Sequence, residues 1–231
     1  VQDLLQVVSR CRVRVDRLVP AALASAIATL TPSEWAMGAL SIDMGAGTTT
    51  LLAVQAHRLR DIHAIALGGN HLSFHLASAL RTSVAQAERI KTNCGIAPTA
   101  HAEACDNLGR FLGAADTNDG FATRADIRPI LAPRIDQLLD QLAERIDAID
   151  QLVPPAAGLV LTGGASLLDG LLERMSERLG RPARCAPGLE ASNAALIGMA
   201  LAAPDRAVGI SVRRSSLRNE RPVSSSRVNR V

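Results

Sequence analysis

Apolar residues along this chain follow two different periods, and their alternation predicts a fold that mixes strands with helices. Between residues 127 and 149 isoleucine and leucine recur every three or four positions, which indicates one long amphipathic helix that begins at Thr123 and is kinked at Pro133. Shorter apolar runs predict strands at 40–42, 51–54, 62–67, 158–161 and 183–186. Helical spacing or capping residues predict further helices at 1–10, 21–30, 72–80, 84–92, 166–179 and 193–202, and Arg12–Val15 alternates like a short strand. Such alternation is typical of the α/β class.

Two parts of the pattern stand apart from the rest. Residues 158–161 read Gly-Leu-Val-Leu and contain no polar side chain, as expected for a strand buried in a parallel or mixed sheet. Residues 96–122 are rich in Gly, Asn and Asp with little periodicity, so they are predicted to hold either short hairpin strands or a surface excursion. The pair Pro154-Pro155 marks a boundary after the long helix.

Length and composition narrow the class of protein. A chain of 231 residues can bury one large core or two smaller ones. It begins with Val1 and shows no signal segment, so we expect a fragment of a longer reading frame. No apolar run approaches the ~20 residues of a membrane-spanning helix. Aromatic residues make up 2% of the chain, which argues against a base-stacking nucleic-acid surface.

Charge is distributed unevenly along the chain. The net charge is +3, but residues 205–231 hold seven arginines against Asp205 and Glu220, which gives +5 there and −2 for the remainder. This basic tail is predicted to be a solvated, disordered end, or else a segment attracted to an anionic lipid surface or an acidic partner.

Cysteines and histidines give no metal-binding pattern. Neither residue type shows the spacing of a metal site; the cysteines are Cys11, Cys94, Cys105 and Cys185. Reduced thiols in a cytoplasmic protein are the expectation.

The first candidate site is the turn Asp43-Met44-Gly45-Ala46-Gly47-Thr48-Thr49 between two apolar strands. Its glycines would let several backbone N–H groups converge on phosphate oxygens, and Asp43 could hold a hydrated divalent cation beside them. The alternative is a plain hairpin turn.

Two further segments could complete a nucleotide site. In Ala87-Glu88-Arg89-Ile90-Lys91, Glu88 and Lys91 share a helix face and could offer an acceptor to ribose and a cation or aliphatic stem to a base; the alternative is an ordinary surface ion pair. Lys91 is the only lysine in the chain. In Leu161-Thr162-Gly163-Gly164-Ala165-Ser166 a buried strand runs into a double-glycine turn and a helix, which suits a flat base or ribose or, alternatively, a tight strand–helix connection.

The order of these segments resembles the second half of the actin/Hsp70-like nucleotide-binding fold, and the chain from about Val1 to Ala202 is most similar to the bacterial cell-division family FtsA. The more specific marks are Ala87–Lys91 and the block Val160-Leu161-Thr162-Gly163-Gly164-Ala165, with Ala66-Leu67-Gly68-Gly69-Asn70 in support. The resemblance implies an actin-like (ribonuclease H-like) second lobe with an inserted smaller α+β subdomain.

The resemblance also implies a ligand and a role for each matched residue. ATP with Mg²⁺ would bind so that residues Gly45, Ala46, Gly47, Thr48 and Thr49 line the β- and γ-phosphates. Asp43 would hold Mg²⁺ through water. Glu88 and Lys91 would touch ribose or adenine, and Gly163, Gly164 and Ala165 would lie against the adenosine. The chain alone would be inactive, and the complete protein at most a weak ATPase, because half a cleft cannot close over a nucleotide.

For the whole family the resemblance implies a filament-forming protein on the cytoplasmic face of the inner membrane at the division site. It would bind the C-terminal tail of the tubulin-like protein FtsZ and anchor FtsZ filaments there, and nucleic acid would not be a partner. The expected domains are the end of an N-terminal lobe (1–38), domain 2A (39–67 and 156–204), subdomain 2B (68–155) and the basic tail (205–231). The sequence departs from the family at Ser73-Phe74-His75, where an acid is usual, and its tail lacks the wide apolar face of a membrane-binding helix.

Alternatives on the same fold remain open at this point. They are an Hsp70-like chaperone, a sugar kinase, and an interaction module that binds no nucleotide. A sugar kinase needs a catalytic carboxylate in another lobe, and an Hsp70 continues into a β-rich domain, which the Arg/Ser tail does not resemble.

Overall fold

The computed structural model describes residues 1–97, 124–152, 155–186 and 191–202, and the structural statements below concern these ranges. The helices are α1 (Gln2–Arg10), α2 (Ala21–Thr29), α3 (Pro32–Met37), α4 (Gly69–Ala79), α5 (Val84–Cys94), α6 (Arg124–Leu152), α7 (Leu171–Leu179) and α8 (Ala194–Leu201). The strands are β1 (Ala39–Met44), β2 (Thr49–Gln55), β3 (Arg58–Ile65), β4 (Leu159–Thr162) and β5 (Ala183–Cys185). Short 3₁₀ helices cover Gly164–Leu167 and Ala191–Asn193.

The strands form one mixed sheet in the order β3-β2-β1-β4-β5. Strands β3, β2 and β1 are antiparallel hairpin neighbours, with Met44 opposite Thr49 at the β1–β2 turn. Strands β1, β4 and β5 run parallel, and Asp43 lies opposite Thr162. The parallel pairing brings the carboxyl ends of β1 and β4 to the same edge of the sheet.

Helices cover both faces of the sheet, which explains why β4 is buried at every position. On one face Leu40, Ile42 and Met44 join a large core with residues of α4, α5, α6 and α7. On the other face Ala39, Leu52 and Val160 pack against α2 and Trp35 of α3. Helix α8 lies on α2 so closely that a Cβ at Gly198 would fall 1.7 Å from the Ala24 carbonyl oxygen.

Arginine–aspartate ion pairs join the polar side of α6 to α7. Arg174 and Arg178 of α7 reach Asp136 and Asp140 of α6 at 2.6 and 2.5 Å. Hydrogen bonding with Asp136 is the main reason that the pKa of Arg174 is raised. These pairs connect α7 to α6. They are half-exposed and add little stability, because solvent screens each of them.

Most of the predicted elements are confirmed by the structure. The helices over 1–10, 21–30, 72–80, 84–92 and 193–202 and four of the five strands lie within three residues of their predicted bounds, whereas β3 begins four residues earlier than predicted, at Arg58. Ser83 caps α5 by accepting the Gln86 N–H at 3.2 Å, and Gly95 ends it with φ +58°. Helix α6 continues through Pro129 and Pro133. The Thr123 cap and most of the 96–122 segment lie outside the described residues.

Three predictions about local structure were wrong. Arg12–Val15 is not a strand, because it has no neighbouring strand to pair with among the described residues. Residues 166–179 are not one helix, since a 3₁₀ turn ends at Leu167 and α7 begins only at Leu171, after Gly170 in the left-handed conformation. Helix α3 was missed, although Thr31 and Glu34 form a capping box with proline at the first helical position.

No helix in the described ranges has both the length and the apolar character needed to cross a bilayer.

Candidate functional site

Two glycine-containing bends meet at the edge where β1 and β4 end. The first bend, Gly45–Thr48, joins β1 to β2, and the second bend, Gly163–Gly164, follows β4. They are so close that a Cβ at Gly163 would fall 2.4 Å from the Met44 carbonyl oxygen. The carboxyl edge of an open α/β sheet is where ligands usually bind.

The first bend presents backbone donors to its surroundings. The Gly45 N–H closes the turn by donating to the Thr48 carbonyl at 2.9 Å. Within the described part of the chain the N–H groups of Ala46, Gly47 and Thr48 donate to no protein acceptor. These three residues are exposed, and a Cβ on Gly47 would meet nothing within 4 Å. Successive free N–H groups on an exposed bend suit an anion such as phosphate.

The second bend combines a glycine that the fold requires with one that it does not. Gly163 has φ +87° and no room for a Cβ. Gly164 has an ordinary φ, is exposed, and has only the Ser192 Cβ within reach, at 4.0 Å. The Ser166 hydroxyl donates to the Gly163 carbonyl at 2.7 Å and so holds the turn. This turn is only a short 3₁₀ helix, so the α-helix predicted to begin at Ser166 does not begin there.

The start of α4 supports the first bend from behind. The Gly69 N–H donates to the Gly45 carbonyl at 3.0 Å, and the Asn70 N–H donates to the Ala46 carbonyl at 2.7 Å. Gly68 must be glycine for this contact, since a Cβ there would fall 2.6 Å from the Gly45 carbonyl oxygen. The block Gly68-Gly69-Asn70 thus positions the bend.

Helix α5 adds a charged pair beside the same block, with a buried lysine and a half-exposed glutamate. Lys91 is 5% exposed, and its ammonium lies 2.7 Å from the Glu88 carboxylate. Glu88 also accepts a short hydrogen bond from the Ser73 hydroxyl. Burial opposes ionisation of Glu88 most strongly, but the hydrogen bonds from Lys91 and Ser73 together outweigh it, so the pKa of Glu88 lies below its ordinary value of 4.5.

One cavity of about 410 Å³ brings these segments together. Among the expected site residues its wall contains Ala46, Glu88, Lys91, Gly164 and Ala165. The remaining wall is formed by residues absent from the expected site, namely Gly69, Asn70, Leu72, Thr92, Leu167 and Leu168. The volume suits a ligand of nucleotide size.

The other expected site residues lie near the cavity but not in its wall. Asp43 is half-buried on the α2 side of the sheet, where its carboxylate accepts the Ser25 hydroxyl at 2.8 Å. Thr49 is fully buried, and its hydroxyl donates to the Leu67 carbonyl at 2.7 Å, so its side chain serves the hairpin. Gly45, Gly47, Thr48 and Gly163 form the two bends themselves and are not in the cavity wall.

Some of the missed wall residues carried a signal in the sequence. Gly69 belongs to the pair Gly68-Gly69 and Asn70 follows it; a glycine pair between two apolar elements often marks a close backbone contact. Leu72 and Leu168 gave no signal, because a leucine at a cavity wall has the same helical or strand spacing as a leucine in the core.

The fold has clear counterparts among solved structures. MreB5 of Spiroplasma citri bound to ADP aligns with a TM-score of 0.71 and 17% identity over 87% of this chain and 63% of that chain. The ethanolamine utilization protein EutJ from Carboxydothermus hydrogenoformans aligns with a TM-score of 0.60 and 22% identity over 86% of this chain and 59% of that one. The chain therefore has the actin-like ATPase fold, as predicted.

Sequence comparison narrows this class to one family. The model of "Cell division protein FtsA" matches residues 40–211. The FtsA protein of Agrobacterium fabrum is 35% identical over 77% of this chain and 40% of its own length, and that of Pseudomonas aeruginosa is 31% identical over 79% and 44%. This chain belongs to the FtsA family. It spans about two fifths of the length of these relatives.

Proposed function

We propose that this chain forms one wall of an Mg²⁺-ATP site in an FtsA-type cell-division protein. The free N–H groups of residues 46–48 would bind the β- and γ-phosphates. Gly164 and Ala165 would lie against the adenosine, with the Glu88 carboxylate and the Lys91 stem towards ribose or adenine. The observation that carries the proposal is the single cavity that joins Ala46, Lys91 and Gly164 from three distant parts of the sequence.

The residues at the edge also fit a hydrated magnesium ion. The Ser25 hydroxyl occupies one oxygen of Asp43, Oδ2, whereas Oδ1 faces Gly163 at the junction of the bends. A carboxylate oxygen in this place could accept hydrogen bonds from the water shell of Mg²⁺. The bound ion would neutralise phosphate charge. The MreB5 structure, which shares this fold, is bound to ADP. This supports nucleotide as the ligand class.

Family membership supports the wider role. In the complete protein a second lobe would close the cleft, the protein would polymerise like actin, and subdomain 2B (68–155) would bind the FtsZ C-terminal tail and link FtsZ to the inner membrane. Residues 39–67 and 156–204 would form domain 2A, and residues 1–38 would end the N-terminal lobe.

Titration of the complete gene product with MgADP and MgATP tests the nucleotide assignment. Asp43→Asn keeps an acceptor for Ser25 but removes the charge, so it is expected to weaken Mg²⁺-dependent binding by about tenfold with the thermal unfolding temperature unchanged. The control is Asp147→Asn on the exposed side of α6, which should bind like the wild type. Equal affinities in Asp43→Asn and wild type would remove Asp43 from the site, and no saturable binding in the wild type would favour the nucleotide-free module.

Binding of an FtsZ C-terminal tail peptide, followed by fluorescence anisotropy, tests the scaffold role separately. Saturable binding is expected with and without MgATP, and its absence from the complete protein under both conditions would contradict the FtsZ link.

A further inference from the structure

The ammonium of Lys91 has no proton left for a ligand. It donates to the Gly69 carbonyl at 3.0 Å, to the Ser73 hydroxyl at 2.9 Å and to the Glu88 carboxylate at 2.7 Å. An ammonium has three donors, and all three acceptors here belong to the protein. The charge is therefore directed inward, although Lys91 contributes to the cavity wall.

One of these contacts leads directly to the first bend. The Gly69 carbonyl and the Asn70 N–H belong to the same planar peptide unit. Lys91 holds the oxygen of this unit, while its N–H donates to the Ala46 carbonyl at 2.7 Å. The Ala46 carbonyl in turn shares a peptide unit with the Gly47 N–H, which donates to no acceptor among the described residues.

Two peptide units thus connect a buried cation to a free donor on the bend. Hydrogen bonds in such a chain polarise one another, and a charge at one end strengthens the donor at the other. The chain also fixes the orientation of the Ala46–Gly47 peptide. A lysine fits this place because its charge is compact and can reach three acceptors at once, whereas the planar guanidinium of arginine cannot contact these three atoms in the same way.

We infer that Lys91 is a positioning residue that orients and polarises the Gly47 N–H through the Gly69–Asn70 peptide, and so acts on the phosphate end of the ligand. Ser73 and Glu88 hold the ammonium in place, and Glu88 balances its charge. The phosphate part of this inference rests on the proposed nucleotide site, whereas the connection to the bend does not.

The first test needs no ligand. The complete protein is labelled with ¹⁵N-glycine, and the Gly47 amide resonance, assigned by its loss in Gly47→Ala, is compared between variants. Lys91→Met keeps the aliphatic stem and is expected to shift this resonance clearly, Ser73→Ala to shift it less, and Arg89→Met, on the exposed side of α5, to leave it in place. A Gly47 resonance unchanged in both Lys91→Met and Ser73→Ala would overturn the inference.

The second test compares the effect of Lys91 on the phosphate end of the ligand with its effect on the nucleoside end. Lys91→Met is expected to weaken MgADP binding by about tenfold and adenosine binding by less than about twofold, because the stem beside the nucleoside is retained. Equal weakening for ADP and adenosine would place Lys91 at the nucleoside end and overturn the inference. If wild-type protein binds neither ligand, the proposed nucleotide function fails, and the Gly47 resonance still decides whether the connection exists. If Lys91→Met unfolds, both tests are carried out with Ser73→Ala instead.

Discussion

The two glycine bends lie side by side but are held in different ways. The second bend needs a left-handed glycine, since Gly163 has φ +87° and no space for a side chain, and the Gly163 N–H donates to the Ala191 carbonyl at 3.1 Å. The first bend has no glycine with positive φ and is held by N–H groups of α4. The second bend therefore depends on the conformation of Gly163 and on its contacts with β1 and Ala191, whereas the first bend depends on the start of α4.

This difference indicates that a substitution in one supporting element can move one bend and leave the other in place. Changes in α4 or α5 reach the first bend through Gly69 and Asn70, but no comparable contact reaches Gly163 from those helices in the described ranges. Changes in these two helices are therefore expected to alter the first bend and to leave the second bend in place.

The largest effect is expected from Gly163→Ala. The methyl group would meet the Met44 carbonyl at 2.4 Å and Asp43 Oδ1 at 2.6 Å, in a backbone conformation that alanine avoids. We expect a loss of about 4 kcal/mol in the free energy of unfolding, measured by urea denaturation. A loss below about 1 kcal/mol would show that the second bend does not need a glycine at position 163.

The second-largest effect is expected from Arg184→Met, which acts on the sheet away from both bends. Arg184 of β5 donates to both oxygens of the buried Glu34 at 2.9 and 2.6 Å and to the Thr29 carbonyl at 3.0 Å. Removing it leaves Glu34 with only its Thr31 partners and should cost about 2 kcal/mol in thermal or urea unfolding. Because β5 does not reach the bends, the Gly47 amide resonance should stay unchanged. A shifted resonance would show that the first bend also depends on β5.

The Arg184–Glu34 ion pair also predicts how the stability of the fold depends on pH. Burial of Glu34 opposes its ionisation most strongly, yet hydrogen bonds from Arg184 and Thr31 outweigh it and lower its pKa below the ordinary 4.5. A group with a lowered folded pKa stabilises the fold above its unfolded pKa and loses that contribution as pH falls. Wild-type stability should decline on acidification below about pH 4.5, and Arg184→Met should reduce this slope.

Gly68→Ala should have an intermediate effect directed at the first bend. Its φ is −151°, which alanine accepts, but the Cβ would fall 2.6 to 2.8 Å from Gly45, Ala46 and Thr48 backbone atoms. The exposed bend can yield, so the expected cost is about 1 kcal/mol by thermal unfolding, with a shifted Gly47 resonance. An unshifted resonance would mean that the start of α4 does not position the bend.

The difference between the bends also explains what could be predicted from sequence. The α/β class and the β1–β2 hairpin followed from periodicity and glycine blocks, which depend on the local backbone conformation, and the actin-like fold followed from the resemblance to a known family. The direction of Asp43 and Thr49 did not follow, because Ser25 and Leu67, the residues that bind them, come from elsewhere in the chain. The inward role of Lys91 was missed for the same reason: its acceptors Gly69 and Ser73 lie on another helix.

The smallest stability effect is expected from the two glycines that the fold does not require, Gly47 and Gly164. Measurements of ligand binding show whether these glycines serve a ligand instead. Gly47→Ala and Gly164→Ala have ordinary φ values and no close neighbours, so each should change the free energy of unfolding by no more than about 0.5 kcal/mol. If these glycines are kept for a ligand, each added methyl should weaken MgADP binding to the complete protein by about tenfold, measured by calorimetric titration. Destabilisation as large as that of Gly163→Ala would mean that the glycines serve the fold, while wild-type affinity in both variants would mean that no ligand approaches the bends. Weak binding in a stable variant is the combination that only a ligand site explains.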